Sequence, residues 1–196
     1  RRGSILRESG RIEQALREAS TAYRLLRASD DNQEIARVQM LMAICFARLG
    51  KKDEAEQYFL DALSSYRRVD DGVGESYVLN NLGLFHKDAC RFGRSIHFFT
   101  RALELCERMG LTQHRARVTL NIGITHFKAR NLTLAKSAFT TARQMAQGTG
   151  DDRKYVRATL MYGAVETRTG DIVSAEKHLL EARGETVVGR GAGGGC

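Results

Sequence analysis

The feature that most constrains this chain is an internal period of 40 residues, which runs through it without an insertion. Asn81-Leu82-Gly83 returns as Asn121-Ile122-Gly123. The same interval aligns a column of small residues: Gly3, Ala43, Gly83, Gly123 and Gly163. Two more small columns read Ala15, Ala55, Ser95, Ala135, Ala175 and Ala22, Ala62, Ala102, Ala142, Ala182. A bulky column, Ala19, Phe59, Phe99, Phe139 and Leu179, runs between them. A turn column reads Gly10, Gly50, Cys90, Arg130 and Gly170. Five units follow, near 1–30, 31–70, 71–110, 111–150 and 151–183. A chain built this way stacks one structural unit on the next, and each unit contacts only its neighbours.

Each unit reads as two helices. Asp31-Asn32 offers an N-cap for a helix over about 32–49, and Gly50 can take the left-handed conformation that ends it. Asp53 and Glu54 open a second helix that runs to about Arg68, where carboxylates suit the positive helix end. Asp70-Asp71-Gly72, Gly110 and Thr149-Gly150-Asp151 break the later units. Proline, which breaks helices, is absent from all 196 residues. Ala55, Phe59 and Ala62 are spaced four and three, so they share one helix face. Small residues let helices approach closely, and the Phe fills the gap between them. One pair cannot bury this face alone. The expected fold is all-α, a right-handed α-solenoid of about five helix pairs with one continuous core over residues 1–183. The Gly-rich segment 184–196 fits no helix pattern and is expected to be disordered.

A small–bulky–small second helix, with a small residue in the first helix twelve positions earlier, resembles the tetratricopeptide repeat. The resemblance covers residues 1 to about 183. It departs from the common form in its 40-residue unit, against 34 there, and in lacking the proline that often ends the second helix. A narrower likeness rests on Asn80-Asn81-Leu82-Gly83-Leu84-Phe85-His86-Lys87-Asp88-Ala89-Cys90, Asn121-Ile122-Gly123-Ile124 and Leu179-Leu180-Glu181-Ala182-Arg183. These stretches are similar to the tetratricopeptide region of bacterial sigma-54-dependent (Fis-type) transcriptional regulators. The likeness implies a cytoplasmic sensing or partner-binding arm beside ATPase and helix-turn-helix domains, neither of which this segment shows. A stand-alone adaptor or scaffold is the alternative.

In such an array the first helices line the binding groove. Their exposed stripe carries Arg37, Leu41, Ile44 and Arg48, then Tyr77, Asn81, Leu84 and Asp88, then Arg117, Asn121, Ile124 and Lys128, then Arg157, Met161, Ala164 and Arg168. Six of these positions are basic and one is acidic. The chain as a whole holds 31 Lys and Arg against 23 Asp and Glu, a net charge of +8. The expected partner is a protein or peptide, acidic or extended. Asn81 and Asn121 can donate to and accept from a peptide backbone, or bond locally within the repeat. Asn81 with Arg117, and Asn121 with Arg157, also resemble part of the carboxylate clamp of chaperone-binding tetratricopeptide domains. Met40 and Ile44 stand where that clamp would place a further Lys and Asn. Tyr77 is the one aromatic in the stripe, which argues against direct nucleic-acid binding by base stacking.

Other chemistry is thinly represented. No apolar run approaches the ~20 residues that cross a bilayer. Cys45, Cys90, Cys106 and Cys196 are scattered, which points to a reducing compartment rather than a disulfide scaffold. His86 and Cys90 are spaced four apart but have no second ligand pair nearby, and His86 and His126 share a column with Phe46. They read as half-buried packing residues, and Cys45 and Cys106 as core thiols. Gly184 to Gly191 has the glycine spacing of a phosphate loop, but Arg190 and Gly191 replace its Lys and Ser/Thr. The residues call for no cofactor and no metal, and no catalytic constellation stands out; the segment reads as non-enzymatic.

Overall fold

The computed structural model of the protein describes residues 2–28 and 31–182, with side chains described from Gly10 onward. The tail 184–196 and its glycine spacing lie outside the described residues. Among the described residues there are nine α-helices and no strand. They are α1 (Arg2–Leu26), α2 (Asn32–Arg48), α3 (Lys52–Arg68), α4 (Gly72–Asp88), α5 (Phe92–Arg108), α6 (Thr112–Lys128), α7 (Leu132–Gly148), α8 (Asp152–Thr169) and α9 (Ile172–Ala182). Helices α2 to α7 have 17 residues each, so a helix and its short linker fill half of the sequence period. Consecutive helices pack on one another from α1 to α5 and from α6 to α9, as in a tetratricopeptide-like α-solenoid. The helices group into two units, residues 1–110 with α1 to α5 and residues 111–196 with α6 to α9.

The helix ends follow from local chemistry. Asp31, Asp71 and Asp151 accept the backbone N–H of Glu34, Gly74 and Lys154 at 3.1, 2.8 and 3.0 Å. These bonds satisfy donors that a helix start leaves open. At the other end the chain turns left-handed at Gly50, Asp70, Cys90, Gly110, Arg130, Gly150 and Gly170. The following N–H then reaches back over the last turn, as from Arg91 to His86 O (2.8 Å) and Asn131 to His126 O (2.9 Å). Cys90 and Arg130 adopt this conformation without glycine's freedom.

Gly10 departs from its column. Helix α1 runs straight through it, so the expected turn of the first unit is not made.

Packing explains the small columns. A Cβ on Gly83 would meet the Phe99 ring at 2.5 Å, and one on Gly123 would meet Phe139 at 2.6 Å. Phe59, Phe99 and Phe139 are buried, as are Ala55, Ala62, Ala102, Ala135 and Ala142 around them. Ser95 keeps its small column polar by donating to Gly83 O at 2.8 Å. Between pairs, the Tyr66 ring of α3 lies where a side chain on Gly74 of α4 would be. In the last pair Leu179 replaces the Phe, and the space above Gly163 is looser, with Leu179 Cγ at 3.6 Å.

Candidate binding clefts between first helices

Within residues 1–110, helices α2 and α4 enclose a cleft of about 500 Å³. Ile44, Ala47, Phe59, Leu84 and Phe85 give it apolar walls, with Asn81, Arg48 and Asp88 among them. It unites Ile44, Arg48, Asn81, Leu84 and Asp88 of the expected stripe. The lining holds one cation and one anion. Phe59 and Phe85 lie 6.0 Å apart, and the Arg91 guanidinium sits 5.4 Å from the Phe85 ring.

Within residues 111–196, helices α6 and α8 enclose a second cleft, of about 410 Å³. Arg117, Leu120, Asn121, Asp151, Arg153, Lys154 and Arg157 line it. It unites Arg117, Asn121 and Arg157 of the stripe. Arg117, Arg153 and Arg157 are exposed, whereas Asn121 is only 7% exposed. Lys154 pairs with Asp151, whose carboxyl is held below its usual range chiefly by the Lys154 side chain and backbone N–H.

The other stripe residues lie outside these two clefts. Arg37 is exposed and paired with Glu34 one turn earlier. Tyr77 and Ile124 are half-buried, and Lys128 is exposed. The Arg168 guanidinium covers the Phe127 ring at 4.3 Å, so its charge is directed onto its neighbour helix. Positive charge therefore gathers in the α6–α8 cleft rather than along the whole stripe. Arg153 and Lys154 escape the stripe pattern because they occupy the first turn of α8, ahead of the spacing that picks out Arg157. A signal existed: their repeat partners are Gln113-His114, Val73-Gly74 and Gln33-Glu34, so only this unit places two cations there.

The residues set aside for metal sit as packing elements. His86 is fully buried, with its ring stacked on Phe98 at 5.1 Å and Glu56 Oε1 at 3.6 Å from Nε2. Burial lowers its pKa, the Arg91 charge adds to this, and Glu56 opposes it. The same position one unit earlier is Phe46, stacked on Tyr58 at 5.3 Å. Cys45 and Cys106 are buried, and burial raises the Cys45 thiol. Among the described residues no group of three His, Cys, Asp or Glu is placed to hold a metal, and no helix is long and apolar enough to cross a membrane.

Comparison with known proteins agrees with this architecture. The tetratricopeptide repeat family model matches residues 1–68. No curated protein matches the chain. Among solved structures, BtubC from P. vanneervenii is similar at 24% identity and a TM-score of 0.76, covering 87% of this chain and 73% of that one. A Rap protein complexed with competence and sporulation factor is similar at 16% identity and a TM-score of 0.73, covering 93% and 52%. A signal-transduction ATPase (STAND) protein with a tetratricopeptide repeat sensor, from Pyrococcus horikoshii, is similar at 14% identity and a TM-score of 0.74, covering 88% and 27%. The chain thus spans about half of the Rap protein and about a quarter of the STAND protein. Residues 1–68 match the tetratricopeptide repeat family, and the helix pairs of both units carry its fold.

Proposed function

We propose that the chain is a protein-interaction module that binds an extended, acidic protein segment along the faces of its first helices. The observation that carries this reading is the α6–α8 cleft, where four cations and one carboxylate surround Asn121. Charge complementarity of that kind steers and selects an acidic partner. Within residues 1–110 the α2–α4 cleft offers apolar walls beside Asn81, suited to an apolar side chain of a bound segment. The Rap protein complexed with competence and sporulation factor, and the STAND protein with its repeat sensor, support the same class of role. In this reading the repeats over 1–183 serve as the cytoplasmic sensory arm of a bacterial transcription regulator, with Arg37, Arg48, Tyr77, Asn81, Leu84, Arg117, Asn121, Ile124, Lys128, Arg157 and Arg168 as the binding stripe. Occupancy changes helix-pair packing, and an attached effector reads the change.

A fluorescent peptide alternating Glu and Leu tests the reading against its Lys-for-Glu counterpart. The acidic peptide binds, weakens as salt rises, and loses affinity in the Asn81→Ala, Arg157→Ala double variant while the melting temperature holds. Equal binding of both peptides, or equal loss of fold and binding, rejects it. A random DNA duplex that binds as well as the acidic peptide at low salt assigns the charge to nucleic acid instead.

A further inference from the structure

We infer that the cleft bounded by α1, α2 and α3 is a binding site for a free acidic amino acid, separate from the first-helix stripe. It encloses about 430 Å³ within residues 1–110 and contains none of the stripe residues. Its most buried members are Gln39 of α2 and Ser65 of α3, 6% and 5% exposed. Ser65 Oγ donates to Gln39 Oε1 at 2.8 Å. The Gln39 amide nitrogen keeps two hydrogens that no described residue accepts. An unmet donor at that depth is costly, so it calls for an acceptor supplied from the cleft. Nearer to solvent stand Arg27, Arg68 and Asp61.

One unit further on, the same register is closed from within. Leu79 and Leu105 replace Gln39 and Ser65, and both are buried. Glu75 of α4 pairs with Arg67, the repeat equivalent of Arg27, at 2.8 Å and with Arg101 of α5 at 3.8 Å. In the cleft Ile35 stands at the position of Glu75, so α2 offers Arg27 no carboxylate there. A ligand carboxylate takes that place. The charges around the cleft define the rest of the ligand. Two guanidinium groups suit two carboxylates, which Arg grips through paired N–H groups. Arg68 gives one N–H to Asn32 Oδ1 at 3.2 Å and has others to offer. Asp61 accepts from the Gln57 amide with one oxygen at 2.9 Å, and its second oxygen can accept from an ammonium. Two carboxylates and one ammonium on a small molecule describe an acidic α-amino acid, and the cleft has room for one.

Titration calorimetry on the full chain compares L-glutamate with L-glutamine, which lacks the second carboxylate, and with N-acetyl-L-glutamate. The last lacks the ammonium and stands for the acidic C-terminus of a peptide. L-glutamate binds about tenfold tighter than either, the loss expected for one charge-assisted contact. Arg27→Gln, at an exposed position, weakens it by a similar factor at an unchanged melting temperature, and Arg17→Gln on the same helix leaves it unchanged. Gln39→Leu with Ser65→Leu, which installs the apolar pair of the next unit, abolishes binding; should that chain fail to fold, Arg27→Gln decides. If L-glutamate does not bind, or binds the Arg27→Gln and unsubstituted chains alike, the inference is overturned. Equal binding of L-glutamine overturns it as well. Equal binding of N-acetyl-L-glutamate also overturns it and assigns the cleft to a peptide C-terminus. The Glu/Leu peptide reports on the first-helix faces, so the two readings fail separately.

Discussion

Gly83 carries no side chain because the Phe99 ring occupies that space, with its atoms 2.5 Å from where a Cβ would stand. In an open helix, Gly→Ala gains up to ~1 kcal/mol from propensity. Here the overlap dominates, since overfilling a packed core costs about 1–3 kcal/mol. Gly83→Ala is therefore expected to lower stability in urea titration. Gly163→Ala, whose nearest contact is 3.5 Å away, is expected to be neutral or stabilising. Equal effects at both sites would contradict this packing. His86 supplies a second residue-scale prediction. Its folded pKa lies below the ordinary 6.5, so the unfolded chain takes up a proton first as pH falls. The stability of its neutral, stacked form is complete above about 6.5 and is lost as pH falls towards and through the lowered folded value. Since Phe46 holds the equivalent stacked place, His86→Phe is expected to keep the fold. Melting temperatures at roughly pH 7.5 and pH 5.5 check it, and the acid-induced drop shrinks in the variant. An unchanged drop would remove His86 from the acid response.

The helices show how a polar group can replace a stack in the same register. Phe46 lies on Tyr58 and His86 on Phe98, each pair twelve residues apart. At the third recurrence Glu166 of α8 meets His178 of α9. Glu166 is 2% exposed, with His178 Nδ1 at 2.7 Å and Lys136 Nζ of α7 at 3.5 Å. Nδ1 also lies 2.8 Å from Ser174 O, so it faces two acceptors and carries the hydrogen that it donates. Removing this donor from a buried carboxylate costs about 1–3 kcal/mol. His178→Ala is expected to loosen α9 ahead of the rest of its unit. Amide hydrogen exchange resolves this: α9 protection falls while α6 and α7 keep theirs. Protection unchanged along α9 would show that apolar packing alone holds the helix. Helix ends were legible in the repeat because Asp caps and left-handed turns recur with its period. The exception is Gly10, which lies inside α1 and makes no turn. The exchange of a ring stack for an imidazole–carboxylate hydrogen bond was not legible. It needs the facing column Tyr58, Phe98, Ala138 and His178, whose members share no residue type.

At the scale of the molecule, repetition supplies the face and its deviations supply selectivity. The small and bulky columns keep helix pairs in register, so stripe residues of neighbouring first helices meet in clefts. Arg48, Asn81 and Leu84 meet in one, and Arg117, Asn121 and Arg157 in another. That much follows from spacing. Spacing could not show that Arg168 spends its charge on Phe127, that Arg37 is paired with Glu34, or that Asn121 is largely buried, because each depends on neighbouring side chains. The measurement that tests the first-helix binding face most directly is photocrosslinking of the Glu/Leu peptide. A benzophenone amino acid replaces either Leu41 on α2 or Leu60 on α3, which are 44% and 42% exposed and thus matched in access. Binding along the first helices predicts a strong adduct from position 41 and little from position 60. Equal adducts, or a stronger one from position 60, would contradict it.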